Sequence, residues 1–409
     1  MNKRAKKTKV IATLGPASST KEIMLELVKA GADVFRINFS HADYELVKRN
    51  VDIIREINQE YGYNISILGD LQGPKLRVGV VKEGSFLNPG DVLTFTNEPC
   101  EGDSTKVFMT YEKFPQDVKV GERILIDDGK LVFEVIETNQ KDTVKAKTIQ
   151  GGPLSSKKGV NLPNTNVSLP ALTEKDIEDA KFMIENEFDW IALSFVRHAQ
   201  DIIDLKKLIE AHSDFKIPII AKIEKPEGVK NIDEILLECD GLMVARGDLG
   251  VEVPMEEVPV IQKKLVDKAR YYSKPVIIAT QMMETMISSL TPTRAEVNDV
   301  ANNVLDGADA VMLSGETSVG KYPVDVVKNI TKIIKNIEST NLYEKKNDII
   351  EKITCVDDRF VTDMVCLNAV KIAETTGAAA IITLTHSGYT AFQISAHRPT
   401  SRIIVYSSN

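Results

Sequence analysis

Short apolar runs that alternate with amphipathic helical segments constrain the fold of this chain more than any other feature. Eight of these runs are predicted strands: Lys9 to Leu14, Asp33 to Phe39, Ile65 to Leu71, Trp190 to Val196, Ile219 to Ile223, Gly241 to Ala245, Val276 to Thr280 and Ala310 to Leu313. Capping boxes are predicted to open the helices after Ser19 and Thr173. Such alternation predicts a parallel α/β fold. Eight units favour a closed (β/α)8 TIM barrel over an open doubly wound sheet.

The alternation stops between Gln72 and Pro170, where turns containing Pro and Gly separate short alternating strands. That spacing predicts a small β-barrel or sandwich inserted after the third strand. A further βαβ pattern follows the polar stretch at Glu344 to Asp348, and two strands make a poor sheet. The predicted domains are therefore a barrel at 1–72 and 171–340, an inserted β lid domain at 73–170, and a partial C-terminal α/β domain at 345–409.

Composition excludes several classes of protein. The chain has 51 Lys and Arg against 59 Asp and Glu, for a formal charge of −8, which argues against a general binder of nucleic acid or membrane surfaces. Its four cysteines are scattered without a CxxC pair, as expected for reduced thiols rather than disulfides or zinc ligands. No apolar run approaches the roughly 18 residues of a membrane span. We expect a cytoplasmic protein.

Polar side chains follow most of the predicted barrel strands. They are Arg36, Asn38, Ser40 and His41, Asp70, Lys222 and Glu224, Arg246 and Asp248, Thr280 and Gln281, and Ser314 and Glu316. Alternate residues of a strand share a face, so Arg36, Asn38 and Ser40 are predicted to point together. Any one of these residues can be a salt bridge at the barrel rim. Because the carboxyl ends of barrel strands meet at one face, the whole set predicts an active site.

The residue types at these strand ends indicate the chemistry. Glu224 and Asp248 suit Mg²⁺ or Mn²⁺, which takes one or two carboxylates and leaves positions for water and substrate. Arg36 and Lys222 can neutralise a phosphoryl group during its transfer, and Lys222 can also stabilise an enolate oxygen. The backbone from Gly247 can approach a carboxylate closely. This combination of residues indicates an enzyme whose reactants are an α-keto acid and the phosphoenol form of that acid.

The chain closely resembles the pyruvate kinase family in segments that follow one another along nearly its whole length. They are TKVIATLGPAS from Thr8, FRINFSH from Phe35, GPKLR from Gly73, GGPLSSKKGVNLP from Gly151, AKIEKPEG from Ala221, MVARGDLGVE from Met243, ATQMMETM from Ala279 and PTRAEVNDVANNVLDGADAVMLSGET from Pro292. The resemblance implies a barrel with a lid, transfer of the phosphoryl group of phosphoenolpyruvate to ADP in glycolysis, a Mg²⁺ or Mn²⁺ cofactor, and a homo-oligomer, which is a tetramer in the family.

The same resemblance implies a role for each matching residue. Phosphoryl transfer is assigned to Lys222 and Arg36, the divalent metal to Glu224 and Asp248, and the proton relay to Ser314 and Glu316. The substrate carboxylate is assigned to Thr280 and the backbone of Ala245, Arg246, Gly247 and Asp248. The nucleotide is assigned to Asn38, His41, Arg77 and Lys158. Asp128 and Lys158 lie in the inserted domain, which fits a lid that excludes water.

The chain departs from the family at two places. Many members need K⁺ and have Asp-Thr-Lys-Gly-Pro-Glu at the third strand, whereas this chain has Asp70-Leu71-Gln72-Gly73-Pro74-Lys75. Asn38, Ser40, Asp70 and the Leu71 carbonyl match the usual K⁺ ligands, but the Lys75 ammonium supplies similar charge, so we expect that K⁺ is not required. The C-terminal domain is shorter than the family's, which leads us to expect weakened effector regulation.

Two other functions are compatible with the residues alone. A metal-dependent lyase or aldolase acting on phosphoenolpyruvate or pyruvate shares the barrel and the enolate chemistry, but it has no need of Lys158 in a nucleotide lid. A catalytically inactive scaffold is the alternative from another class. The retained charges at Arg36, Lys222, Glu224 and Asp248 argue against the scaffold, since burying them is costly.

Overall fold

The computed structural model describes residues 6–163, 165–340 and 359–407. The chain opens with β1 Lys9–Thr13, α1 Lys21–Ala30, β2 Val34–Asn38, α2 Tyr44–Tyr61 and β3 Ser66–Asp70. Thr20 is the N-cap of α1 and accepts a hydrogen bond from the N–H of Ile23. The predicted capping box from Ser19 is therefore wrong by one residue, because the Ser19 hydroxyl donates instead to the Gly15 carbonyl.

The segment after β3 builds a separate β domain around its own apolar core. Its elements are β4 Phe86–Leu87, β5 Val92–Thr96, β6 Lys106–Phe108, α3 Phe114–Asp117, β7 Arg123–Ile126, β8 Leu131–Thr138, β9 Thr143–Gln150, β10 Gly152–Pro153 and β11 Val160–Asn161. Six of the strands form one sheet in the order β11-β7-β8-β9-β5-β6, and β10 pairs with β4. Alternate residues of β8 are buried, as expected for a sheet with one face on a core. The inserted β domain is confirmed.

The strand and helix pattern resumes at the predicted capping box of Thr173 and Asp176. The elements are α4 Glu174–Glu185, β12 Trp190–Leu193, α5 Ala199–His212, β13 Ile219–Ile223, α6 Pro226–Lys230, α7 Ile232–Glu238, β14 Gly241–Ala245, α8 Arg246–Glu252, α9 Val258–Tyr271, β15 Val276–Ala279, α10 Arg294–Asp306, β16 Ala310–Leu313, α11 Gly315–Ser318 and α12 Pro323–Glu338. The helix predicted from Val229 to Leu237 is instead two helices. They meet at Asn231, whose side-chain amide donates to the Arg197 carbonyl.

The eight long parallel strands close into a barrel because β1 pairs with β16 as well as with β2. Their order is β1-β16-β15-β14-β13-β12-β3-β2. Side chains on one face of these strands, such as Leu68, Met243 and Met312, form their own buried cluster. Those on the other face pack with the helices in the largest apolar cluster. The prediction of a (β/α)8 barrel is confirmed, and the open sheet is wrong.

A C-terminal α/β domain contains α13 Phe360–Thr376, β17 Ala380–Thr385, α14 Tyr389–Ala396 and β18 Arg402–Ser407. β17 and β18 form a two-stranded parallel sheet. Arg398 joins this domain to the barrel through two hydrogen bonds to the Asp309 carboxylate, of 3.0 and 2.8 Å. The polar stretch Glu344 to Asp348 and Cys355 lie outside the described residues. The other three cysteines, Cys100, Cys239 and Cys366, are free thiols.

Across the described parts of the chain, the helices are all too short or too polar to span a membrane.

Phe133 provides a test of the core of the inserted domain. Its fully buried ring contacts Phe95 edge to face with 5.8 Å between ring centroids. We expect Phe133→Ala to lower the free energy of unfolding by about 3–5 kcal/mol, measured by urea unfolding. Val120 in the same domain is 65% exposed, and Val120→Ala should change stability by less than about 0.5 kcal/mol. Equal effects of the two substitutions would contradict the assignment of Phe133 to the core.

Candidate active site

A chain of buried charges crosses the carboxyl ends of β2, β3 and β13. The Asp70 carboxylate accepts from Arg36 Nε at 2.7 Å and from Lys222 Nζ at 3.0 Å. Lys222 Nζ also lies 3.1 Å from Glu224 Oε1. All four side chains are buried, Asp70 and Glu224 almost completely. The strand ends therefore bring together the two cations and one of the two metal-binding carboxylates that the sequence predicts for the site.

Two opposing effects set the pKa values of Asp70, Lys222 and Glu224. Burial disfavours the charged form of each group, whereas neighbouring opposite charges favour it. Burial opposes ionisation of Asp70, but Lys222 and Arg36 outweigh it and hold the pKa of Asp70 below its usual range. Burial also opposes the Lys222 ammonium, and Asp70 and Glu224 outweigh it, so the pKa of Lys222 is raised. For Glu224, burial raises the pKa to about 7, with Lys222 opposing and Asp248 adding to the rise. Lys222 thus stays charged. At Glu224 the single Lys222 cation does not offset the effect of burial.

Two hydroxyl groups that the sequence did not point to complete this network. Ser194 Oγ accepts from Lys222 Nζ at 2.6 Å and donates to the Leu71 carbonyl at 2.7 Å. Thr13 Oγ1 accepts from Arg36 at 3.0 Å and donates to the Leu313 carbonyl at 2.7 Å. The sequence feature that could have indicated them is the position of Thr13 and Ser194 near the ends of two predicted strands. Each hydroxyl fixes a cation relative to the barrel backbone.

Phe195 binds the Glu224 carboxylate through its backbone N–H, because β12 ends before this residue. β12 ends at Leu193, whereas the apolar pattern predicted a strand through Val196. Phe195 has φ +55°, and its N–H donates to Glu224 Oε2 at 2.7 Å. One oxygen of Glu224 thus faces a backbone amide and the other faces Lys222. A non-glycine residue in this region costs about 1–2 kcal/mol.

The end of β15 forms a second strained segment. Thr280 and Gln281 have φ values of +68° and +53°, which is unusual for any residue and most unfavourable for a β-branched one. Thr280 Oγ1 accepts from the Gly247 N–H at 2.7 Å. A Cβ at Gly247 would lie 3.3 Å from that oxygen, so glycine permits the approach. Gly247 and Asp248 lie in the first turn of α8 rather than in a loop, directly after Ala245 ends β14.

The end of β16 presents Ser314, which is half-buried, and Glu316, which is buried. The Glu316 carboxylate accepts from the N–H of Ser314 at 2.7 Å and from the N–H of Met283 at 3.1 Å. These bonds join the segments that follow β15 and β16. The Glu316 carboxylate therefore binds backbone amides, one of them that of Ser314.

The inserted domain lies across a cleft from these strand ends. Lys75 and Asp128 line the cleft opposite Asp248, Arg246 and Gly247. Asn161 of β11 donates to Glu252 of α8 at 2.7 Å, and Glu252 also pairs with Lys225 at 2.7 Å. The cleft is lined by both domains, as a site closed by a lid requires.

The residues that the resemblance assigns to the nucleotide are only partly gathered. In the inserted domain, Lys158 pairs with Asp127 at 2.9 Å and Arg77 donates to the Lys157 carbonyl at 3.1 Å. Asn38 is exposed at the end of β2. His41 ends the 3₁₀ turn Phe39–His41, and its side chain lies outside what the structure describes. Ser40 belongs to that turn as well, so the prediction that it shares a strand face with Arg36 and Asn38 is wrong.

The comparisons with known proteins agree with this architecture. The family model described as the pyruvate kinase barrel domain matches residues 5–327, and the model of the pyruvate kinase alpha/beta domain matches residues 363–409. The chain belongs to the pyruvate kinase family. It therefore transfers the phosphoryl group of phosphoenolpyruvate to ADP, which gives pyruvate and ATP in glycolysis. Neither the lyase or aldolase nor the inactive scaffold is supported.

Pyruvate kinases from several organisms are similar over almost the whole chain. Pyruvate kinase 2 of Synechocystis is 45% identical over 404 residues, which cover 98% of this chain and 67% of that protein. The Geobacillus stearothermophilus enzyme is 44% identical over 406 residues, which cover 99% of this chain and 69% of that protein. A crystal structure of a Cryptosporidium parvum pyruvate kinase superposes with a TM-score of 0.91 at 36% identity, covering 99% of this chain and 84% of that one.

The buried Asp70 carboxylate should contribute strongly to the stability of this pyruvate kinase. Asp70→Asn leaves Arg36 and Lys222 as neighbouring buried cations without their shared counter-charge. We expect a loss of about 3–5 kcal/mol in the free energy of unfolding, measured by urea unfolding. Asp325 forms an exposed pair with Lys328 at 3.7 Å, and Asp325→Asn should cost less than about 1 kcal/mol. An Asp70→Asn enzyme as stable as the parent would contradict this account of the buried charges.

Proposed function

We propose that Lys222 and Arg36 bind and stabilise the phosphoryl group while it passes from phosphoenolpyruvate to ADP. The observation that carries this proposal is the buried Lys222 ammonium, held charged by Asp70 and Glu224 and oriented by Ser194. A fixed positive charge in a site of low dielectric stabilises developing negative charge without reorganisation. After transfer, the same ammonium stabilises the enolate oxygen of the pyruvate that is formed.

A divalent cation, Mg²⁺ or Mn²⁺, fits the carboxylates of Glu224 and Asp248. Burial holds the pKa of Glu224 at about 7, and the Asp248 carboxylate has no hydrogen-bond or ion-pair partner among the described residues. In the same parts of the chain, no three His, Cys, Asp or Glu side chains converge as a complete metal site. Two carboxylates therefore leave the other positions to water and substrate oxygens. When bound, the ion supplies Lewis-acid stabilisation of phosphoryl and enolate oxygens.

The substrate carboxylate is assigned to the junction of β14 and β15. Thr280 and the backbone of Ala245, Arg246, Gly247 and Asp248 bind it in this proposal, because α8 begins there and Thr280 Oγ1 is already within hydrogen-bond distance of Gly247. Ser314 delivers the proton that converts enolpyruvate to pyruvate. Glu316 holds Ser314 in place through its backbone N–H.

ADP is assigned to residues of both the barrel and the inserted domain. Asn38 and His41 bind it from the barrel, and Arg77 and Lys158 bind it from the inserted domain at 73–170, which acts as a lid. The position of Lys75 and Asp128 on the cleft supports this arrangement. Closure of the lid excludes water, which protects the transferring group from hydrolysis. The remaining domains in this proposal are the barrel at 1–72 and 171–340 and the C-terminal domain at 345–409.

We also propose that the enzyme needs no K⁺, works in the cytoplasm and forms a homo-oligomer, as the tetrameric family does. Protein donors already occupy three of the four oxygens that match K⁺ ligands. Asp70 binds Arg36 and Lys222, the Leu71 carbonyl accepts from Ser194, and Asn38 Oδ1 accepts from the Ser40 N–H. Lys75 lines a pocket together with Asp248 and Glu252, where it adds a positive charge.

Lys222→Ala tests the mechanism. We expect kcat to fall by about 10²–10³-fold or more, because the site loses its fixed positive charge, in an assay that couples pyruvate formation to NADH oxidation with and without ADP. Lys207→Ala, an exposed lysine of α5, should leave kcat within twofold. Circular dichroism of both variants separates lost chemistry from lost fold. Parental kcat in a folded Lys222→Ala enzyme would refute the role of Lys222.

Replacing K⁺ by tetramethylammonium at constant ionic strength and constant Mg²⁺ tests the monovalent site. We expect kcat to stay within about twofold, because Lys75 and the internal donors supply the charge that K⁺ would bring. A tenfold or larger loss that K⁺ restores and Na⁺ does not would overturn this proposal. The control is a titration with ADP and phosphoenolpyruvate in both salts, which separates a change in kcat from a change in KM.

A further inference from the structure

We propose that Arg246 is a positioning residue, whose side chain holds Thr280 in the positive-φ conformation that binds the substrate carboxylate. Its Nη2 donates to the Thr280 carbonyl at 2.8 Å and to the Gln281 carbonyl at 3.2 Å. Its Nη1 donates to Asp299 Oδ1 at 2.8 Å. One guanidinium therefore joins the end of β15 to helix α10. This role is separate from the backbone contact proposed for Arg246 with the substrate carboxylate.

The conformation that Arg246 holds is unfavourable without a partner. Thr280 and Gln281 are consecutive non-glycine residues with positive φ, and such residues persist only where surrounding contacts determine them. Both of their carbonyls are hydrogen-bonded to the same Nη2 atom. The same conformation lets Thr280 Oγ1 accept from the Gly247 N–H at 2.7 Å. Release of the two carbonyls would let Thr280 relax and leave Gly247.

Buried amides fix the position of this guanidinium. Asp299 Oδ2 accepts from Asn303 Nδ2 at 3.2 Å, and Asn303 Oδ1 accepts from Gln262 Nε2 at 2.7 Å. Gln262 lies on α9 and Asn303 on α10, and both are buried. The Arg246 fork spans a carboxylate and two carbonyls at once. A lysine ammonium is a single point donor and does not reproduce that planar geometry.

This inference rests on the proposed assignment of Thr280 to phosphoenolpyruvate, and it predicts an effect on that half of the reaction alone. In Arg246→Lys, Thr280 is no longer held, so kcat/KM for phosphoenolpyruvate should fall by about 10–100-fold. KM for ADP should stay within twofold, because the nucleotide is assigned to other residues. Asp299→Asn keeps Arg246 and one acceptor oxygen, and it should give a smaller loss in the same direction.

Arg55 offers a matched control on the same barrel. It donates to the carbonyl of Glu187, which also has positive φ, and to the Asp189 carboxylate at 3.2 Å. Glu187 and Asp189 precede β12, so this arginine lies at the opposite end of the barrel from the site. Arg55→Lys should leave both KM values and kcat within twofold, whatever it does to stability.

A double-mutant cycle with Thr280→Ala tests whether Arg246 acts through Thr280. If Arg246 acts through Thr280, Arg246→Lys should cost less than threefold in kcat/KM for phosphoenolpyruvate once Thr280 is alanine. An equal cost in both backgrounds, with Thr280→Ala itself impaired, would overturn the inference and leave the assignment of Thr280 intact. Parental kinetics in Thr280→Ala would remove that assignment and the inference together. Should Arg246→Lys not fold, the same cycle is run with Asp299→Asn, and additive losses there would again overturn the inference.

Discussion

The Asp70 carboxylate, bound by both Arg36 and Lys222, is the interaction on which the rest of the site depends. Placing two cations side by side inside a protein is unfavourable unless a buried anion separates them. A buried ion pair is weak support for stability, since well-packed apolar residues often replace it at no loss. Stability is therefore a weak explanation for four buried charges at one rim. The role proposed for Lys222 and Arg36 in phosphoryl transfer supplies a chemical one.

The sequence predicted the parts of the fold in which one physical signal dominates. β13 and β14 have the predicted bounds because each apolar run is buried along its length and ends in charged residues. Helix α9 also matches, since its apolar positions recur at helical spacing. Lys222 and Glu224 could be proposed as site residues for the same reason, because burying their charges at the end of an apolar strand is costly. Closure of the barrel followed from the number of units, which is a property of the whole chain.

Residues that act through geometry rather than composition could not be predicted. Ser194 and Phe195 continue an apolar run, and nothing local indicates that β12 stops at Leu193. Positive φ at Phe195 and Thr280 contradicts the intrinsic preference of both residues, so only tertiary contacts can select it. The break between α6 and α7 depends on a hydrogen bond from Asn231 to the distant Arg197 carbonyl. Such conflicts between local preference and final structure concentrate at functional sites.

Three of the strained residues contact groups assigned to catalysis or binding, two of them in the barrel and one in the inserted domain. In the barrel, Phe195 donates to Glu224 and Thr280 accepts from Gly247. In the lid, Asp127 has φ +54° and pairs with Lys158. Each such residue costs about 1–2 kcal/mol, which the apolar cores of the barrel and the lid must offset. The backbone strain is therefore confined to a few residues, whereas the packing that offsets it is spread over both apolar cores. Substitutions deep in either core can then lower activity by letting these few residues relax, even when the fold survives.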